Sequence, residues 1–131
     1  SERIVLDGPA GVRLRSSTVQ MLAMALHELA TNAVKYGALA QPAGRLSVQW
    51  SLQRNGTDGK PWLNIAWRES GVDMPPRGAG PVGTGQGREL IEQALPYQLS
   101  ARTSYTFASD GVCCTISIPV SLSTLELDEH A

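Results

Sequence analysis

The sequence predicts an α+β domain, with helices packed on one face of a mostly antiparallel sheet. Three observations predict it. Leu22, Leu26, Leu29 and Ala33 recur at helical spacing in a stretch free of Gly and Pro. Leu46 to Leu52 and Trp62 to Arg68 alternate apolar and polar residues across a turn-rich loop, the pattern of a hairpin. A second helix and two further strands then follow, an order that does not require long parallel crossovers.

Taken in order, Arg3 to Leu6 is a short strand and Asp7 to Gly11 a turn. Val12 to Leu14 is a second short strand. Ser16, Ser17 or Thr18 can cap the long helix, which runs to about Tyr36, and Gly37 suits its stop. Ala38 to Gly44 connects to the first hairpin strand, in which Leu46, Val48, Trp50 and Leu52 share a face. Arg54 to Lys60 is the hairpin loop, and Leu63, Ile65 and Trp67 face one way on the returning strand. Glu69 to Thr84, rich in glycine and proline, is irregular and mobile. Gly85 to Ala94 begins glycine-rich and becomes helical over Arg88 to Leu95, and Pro96 ends that helix. Leu99 to Phe107 and Val112 to Ile118 are the last strands, joined by a Ser109-Asp-Gly111 turn. Residues 1–121 form the domain and residues 122–131 a polar C-terminal tail.

The 131 residues suffice for one domain, and the net charge of −1 offers no electrostatic case for nucleic acid or an anionic membrane. No apolar run is long enough to span a bilayer, and no signal peptide is visible. Cys113 and Cys114 are adjacent, so they would point to opposite faces of a strand, which argues against a disulfide between them. Metal-ligand spacing of Cys and His is absent. A reducing cytoplasm fits. The start without Met and the polar end read as those of a piece of a longer protein.

Three stretches carry chemistry. On the long helix, Glu28, Asn32 and Lys35 fall within roughly 60° of one another, with Tyr36 beside them, and the apolar stripe is centred roughly 130° away. Asn is a poor helix former, so its place mid-helix invites a functional reading, against the alternative of an exposed polar stripe. An Asn amide oxygen suits Mg²⁺ as a single protein ligand when phosphates supply others. Lys35 would neutralise phosphate charge, and Glu28 would orient or deprotonate a hydroxyl or water. The second stretch is Trp67-Arg-Glu-Ser-Gly71, at a strand end. There Glu69 could accept a hydrogen bond from an adenine amino group or serve as a surface charge. The third is Gly83-Thr-Gly-Gln-Gly87 opening a helix, a geometry for phosphate or, alternatively, a flexible linker with a cap. The βαβ context of a dinucleotide fold and the Gly-Lys-Ser/Thr of a Walker loop are both missing.

These stretches together resemble the GHKL ATPases and histidine kinases over about residues 10 to 119. The long helix, with His-Glu-Leu-Ala-Thr-Asn-Ala-Val-Lys-Tyr-Gly-Ala-Leu at 27–39, resembles their N-box. Trp67-x-Glu69-x-Gly71 and Gly83 to Gly87 resemble their two glycine boxes. His27 with Trp67 and Glu69 resembles the signature of the HWE subfamily of sensor histidine kinases. The resemblance implies a Bergerat-type two-layer sandwich, helices on one face of a mixed, mostly antiparallel sheet, that binds ATP and Mg²⁺. It implies that Asn32 holds Mg²⁺, Lys35 contacts phosphate, Glu28 polarises the attacking group and Glu69 reads adenine. Gly71, Gly83, Gly85 and Gly87 would shape the nucleotide loops, and Tyr36, Thr84 and Arg88 would complete the ATP-contacting set. His27 is expected to be structural or to contact a loop.

The sequence departs from the subfamily pattern at Val72, where a second glycine is common, at Gln86, where an aromatic is usual, and at Glu89, where Arg is expected with Arg88 adjacent. These departures bear on the ATP lid, expected over Gly71 to Thr84, and on the phosphate contact. The implied partners are a dimerising helical domain carrying the phosphoacceptor histidine, an upstream sensor domain and a response regulator. The chain is expected to bind Mg-ATP without phosphorylating itself. Two rivals remain: an anti-sigma-factor-type GHKL serine kinase, and a degenerate nucleotide-binding or docking scaffold.

Overall fold

The computed structural model describes residues 3–54, 59–73 and 85–120. A five-stranded sheet runs in the order β1-β2-β3-β5-β4, with β1 at Ile4–Asp7, β2 at Arg45–Arg54, β3 at Pro61–Ser70, β4 at Arg102–Ala108 and β5 at Gly111–Pro119. The pairs β2–β3, β3–β5 and β4–β5 are antiparallel. β1 lies parallel to β2, so the sheet is mixed and mostly antiparallel, as the resemblance implies, but the expectation that no parallel crossover is needed does not hold. The crossover is α1, Ser16–Lys35, which carries the chain from one parallel strand to the other.

The pairing register explains the layers. Val48, Trp67, Cys114 and Tyr105 lie side by side across four strands, as do Trp50, Ile65, Ile116 and Thr103. This face packs against Leu22, Ala25, Leu29 and Ala33 of α1 and against Ile91 and Leu95. The opposite face presents Ser47, Gln49, Asn64, Arg68, Thr115 and Ser117, polar residues that leave it uncovered. One buried face and one wet face make the two-layer α+β architecture.

Four local expectations are corrected. Val12–Leu14 is not a strand: β1 already occupies the free edge of β2, and the chain bends away where Pro9 accepts a 2.9 Å hydrogen bond from the Trp50 indole. Leu14 packs against the core instead. The helix cap is Arg15, without a side-chain cap bond, because α1 begins at Ser16. Gly37 follows α1 with a negative φ, so it is no left-handed stop. Pro96 does not end the second helix. α2 (Gly85–Glu89) passes into a π turn (Leu90–Ala94) and then α3 (Leu95–Leu99), where Leu95 N–H bonds back to Leu90. The wider turn shifts the carbonyls that a proline ring would otherwise strike. Residues 74–84, most of the expected lid, and residues 121–131 lie outside the described residues.

Candidate functional site

Asn32 is 9% exposed, facing the sheet layer rather than solvent, which removes the exposed-stripe alternative. Its Oδ1 is buried and has no hydrogen-bond partner among the described residues. A buried unpaired amide oxygen is costly, so the site calls for something that binds oxygen. The α2 backbone comes down on this point at Gly87. A Cβ there would lie 3.3 Å from Glu28 Oε2 and 3.4 Å from Asn32 Nδ2. Glu28, Asn32 and Gly87 are therefore one cluster. Lys35 and Tyr36 lie exposed at the C-terminal end of α1. His27, next to Glu28 on α1, is exposed.

The floor beyond Asn32 is Tyr105 of β4. Burial raises its hydroxyl pKa, reinforced by Cys114 and Glu69, and Arg88 and the Asn32 amide act against that rise. Arg88 stacks over Tyr105 and Phe107, with its guanidinium carbon 5.2 and 5.5 Å from the ring centroids, and pairs with Glu92 one turn on. Arg88 is thus tied to β4 beside the cluster. Glu89 is exposed on the outer side of α2, and Gly83 and Thr84 lie outside the described residues. Gly85 begins α2.

Glu69 is not a surface charge. It is 4% exposed, on the apolar face of β3. Its Oε1 accepts from Ala38 N–H and its Oε2 from the Trp67 indole N–H, both at 2.9 Å. The Trp-x-Glu spacing thereby acquires a physical reason: residues two apart share a strand face, so the indole can donate to the carboxylate. Gly37 is required by the same contact, since a Cβ would stand 2.1 Å from Glu69 Oε1. Gly71 has φ +69, and a Cβ on it would meet the Ala43 carbonyl at 2.4 Å. Its N–H donates to Asp110 Oδ2 at 3.1 Å, and Val72 N–H to the Asp110 carbonyl at 2.8 Å. Val72, the departure from Gly-Gly, is a buried core residue here.

Sequence reasoning missed Asp110, Gly111, Tyr105, Gln41 and Arg3. The Asp-Gly turn was visible, but nothing local shows that it meets Gly71. Gly111 abuts the Glu69 carbonyl, where a Cβ would come within 1.9 Å. The structure joins Glu28, Asn32, Gly87, Tyr105 and Arg88 at one end of the helical layer. Trp67, Glu69, Gly37 and Gly71 sit at the adjoining strand ends.

The fold is that of solved histidine kinase catalytic domains. The histidine kinase domain of the Erythrobacter litoralis EL346 blue-light activated histidine kinase superposes with a TM-score of 0.62 at 20% identity, covering 95% of this chain and 55% of that one. The catalytic domain of histidine kinase ThkA gives 0.63 at 14% identity, covering 90% and 80%. In sequence, the chain is a relative of the blue-light-activated histidine kinases. It is 36% identical over 120 residues to blue-light-activated histidine kinase 1 of Erythrobacter litoralis, covering 92% of this chain and 31% of that protein. It is 34% identical over 117 residues to the Rhizobium johnstonii blue-light-activated histidine kinase, covering 89% and 32%. The chain thus spans about a third of the length of these relatives. No protein-family profile matches it.

Proposed function

We propose that the chain is the ATP-binding catalytic domain of a two-component sensor histidine kinase of the HWE type, placing Mg-ATP so that the γ-phosphate passes to a histidine on a separate helical domain. The observation that carries this reading is the buried Asn32 Oδ1, without a hydrogen-bond partner among the described residues, beside Glu28 under Gly87. Among the described residues no group of three or more His, Cys, Asp or Glu side chains can hold a metal. A hard cation held by one amide oxygen, with phosphates supplying the rest, fits that donor set. When bound, the ion neutralises phosphate charge.

Asn32 would hold the ion, and Lys35 and Arg88 would face phosphate. Glu28 would orient the attacking imidazole, and Glu69 would use its remaining lone pairs toward the adenine amino group. Gly71, Gly83, Thr84, Gly85, Gly87 and Tyr36 would line the nucleotide. Rate enhancement in such a site comes mainly from positioning and charge neutralisation. The helical phosphoacceptor domain, an upstream sensor domain and a response regulator would be the partners, and the site of action the cytoplasm. A solved histidine kinase, ThkA, forms a complex with the response regulator TrrA, which supports the last partner. No described helix is long and apolar enough to cross a membrane.

Calorimetric titration with ATP, with and without Mg²⁺, tests the reading. Wild type should show saturable binding that needs Mg²⁺, weakened about tenfold or more by Asn32→Ala, the effect of losing about 1.4 kcal/mol. No binding by this chain or by a longer one carrying the helical domain would favour a scaffold. A stable acid-labile phosphohistidine on the chain alone would contradict the separate phosphoacceptor.

A further inference from the structure

Arg3, the residue just before β1, is half-buried and spends its guanidinium on one loop. Its Nη2 donates to the Ala38 carbonyl at 2.9 Å and to the Gln41 carbonyl, and its Nε donates to the Gly44 carbonyl at 3.2 Å. Its own carbonyl accepts from Leu46 N–H at 2.8 Å, which seats it on β2. The loop it grips, residues 38–44, touches the candidate nucleotide site at three places. Ala38, held by Arg3 through its carbonyl, gives its N–H to Glu69. The Ala43 carbonyl fills the space where Gly71 would carry a Cβ. The Gln41 side chain pairs with the backbone of Asp73 in both directions: its Oε1 accepts from Asp73 N–H at 2.7 Å and its Nε2 donates to the Asp73 carbonyl at 3.2 Å.

We propose that Arg3 and Gln41 are positioning residues for the base end of the nucleotide site, setting the place of Glu69 and of the Gly71–Asp73 turn through the Ala38–Gly44 loop. This rests on the nucleotide reading above. The chemistry suits the task. A planar guanidinium donates in several fixed directions at once, and charge-assisted bonds to carbonyls are stronger than neutral ones. The two-way Gln41 pairing reproduces a β-bridge without a strand, fixing both the height and the direction of the chain leaving Gly71. Asp110 holds the same turn from the other side, through Gly71 N–H and Val72 N–H. The turn is therefore gripped from the β4–β5 hairpin and from the loop that Arg3 holds; the hairpin meets Glu69 through its backbone, and of the two grips only the second bonds the Glu69 carboxylate.

The test uses the whole chain with Arg3→Ala, Arg3→Lys and Gln41→Ala. Amide exchange is followed at Ala38, Val72 and Asp73, and Mg-ATP and Mg-tripolyphosphate are titrated. Arg3→Ala should speed exchange at Ala38 and Asp73 by about fivefold, and Gln41→Ala should do so at Asp73, the change expected from one hydrogen bond worth about 1 kcal/mol. Val72, bonded to Asp110, should stay as in wild type. ATP should bind about fivefold more weakly in both alanine variants while tripolyphosphate binding is unchanged. Arg3→Lys, which keeps the charge without the planar fork, should fall between. Equal losses for ATP and tripolyphosphate, or wild-type exchange at Asp73 in both alanine variants, would overturn the proposal. If wild type binds neither ligand, the nucleotide reading fails, and with it the positioning role, while the exchange arm separately reports whether the loop is coupled.

Discussion

Glu69 is a carboxylate on the apolar face of a sheet, and burial of such a group is tolerated only when its oxygens are satisfied. Here Ala38 N–H and the Trp67 indole each supply one bond. Replacing it tests that account independently of any nucleotide. Glu69→Gln keeps the size but turns an NH₂ toward one of the two N–H donors, so one bond is lost and two donors face each other. Chemical denaturation should show a loss of about 1–3 kcal/mol, and an unchanged midpoint would mean that the carboxylate is not what holds the strand end to the loop after α1. Asn32 is the contrasting case. Its Oδ1 has no hydrogen-bond partner among the described residues, so Asn32→Ala should weaken nucleotide binding and cost stability only through what its amide gives Tyr105.

At the scale of elements, the run from Gly85 to Leu99 shows how a chain passes a proline without stopping. The π turn at Leu90–Ala94 absorbs the register change, and Ile91 and Leu95 stay fully buried on its inner side. The run ends at Ser100, whose φ of 56° is the left-handed conformation that glycine adopts without a Cβ clash. Ser100→Gly should therefore raise stability by about 1 kcal/mol, read as a higher denaturation midpoint. A lower midpoint would show that the serine side chain contributes more than its backbone strain costs. α1 depends on tertiary contacts at its end as well: Gly37 is needed for the approach of Glu69, not for a turn.

At the scale of the whole molecule, the sheet has one dry face, and Cys114 lies at its centre, fully buried between Trp67 and Tyr105. Burial, reinforced by Cys113 and Glu92, pushes its thiol pKa from 9.0 up to about 12. Tyr105 moves in the same direction. The folded chain keeps these protons at pH values where the unfolded chain releases them, so the stability they carry is whole below about pH 9 and is lost as pH rises toward 12. Thermal unfolding should be flat near neutrality and fall steeply above pH 9, and Cys114→Ala should flatten the fall. An equally steep decline in that variant would place the alkaline instability elsewhere. Thiol reagents should reach half-buried Cys113 before Cys114.

The sequence by itself determined what depends on local period and spacing. The 3.6-residue repeat marked α1 and its buried Leu22, Leu29 and Ala33, and the period of two marked β2, β3 and β5 with their inward faces. The spacing of Glu28, Asn32 and Lys35 marked the polar stripe, and the second glycine box marked the segment whose Gly87 comes down on it. Only the tertiary structure decided that β1 pairs in parallel with β2, that Val12–Leu14 forms no strand, that Glu69 is buried and doubly bonded, and that Arg3, Gln41 and Asp110 hold the turn after β3. Most of those facts rest on hydrogen bonds between residues 31 to 39 apart in the chain. A repeat of two or 3.6 residues tells which face of an element is apolar. It carries no information about which distant carbonyl or amide will meet that face once the layers pack.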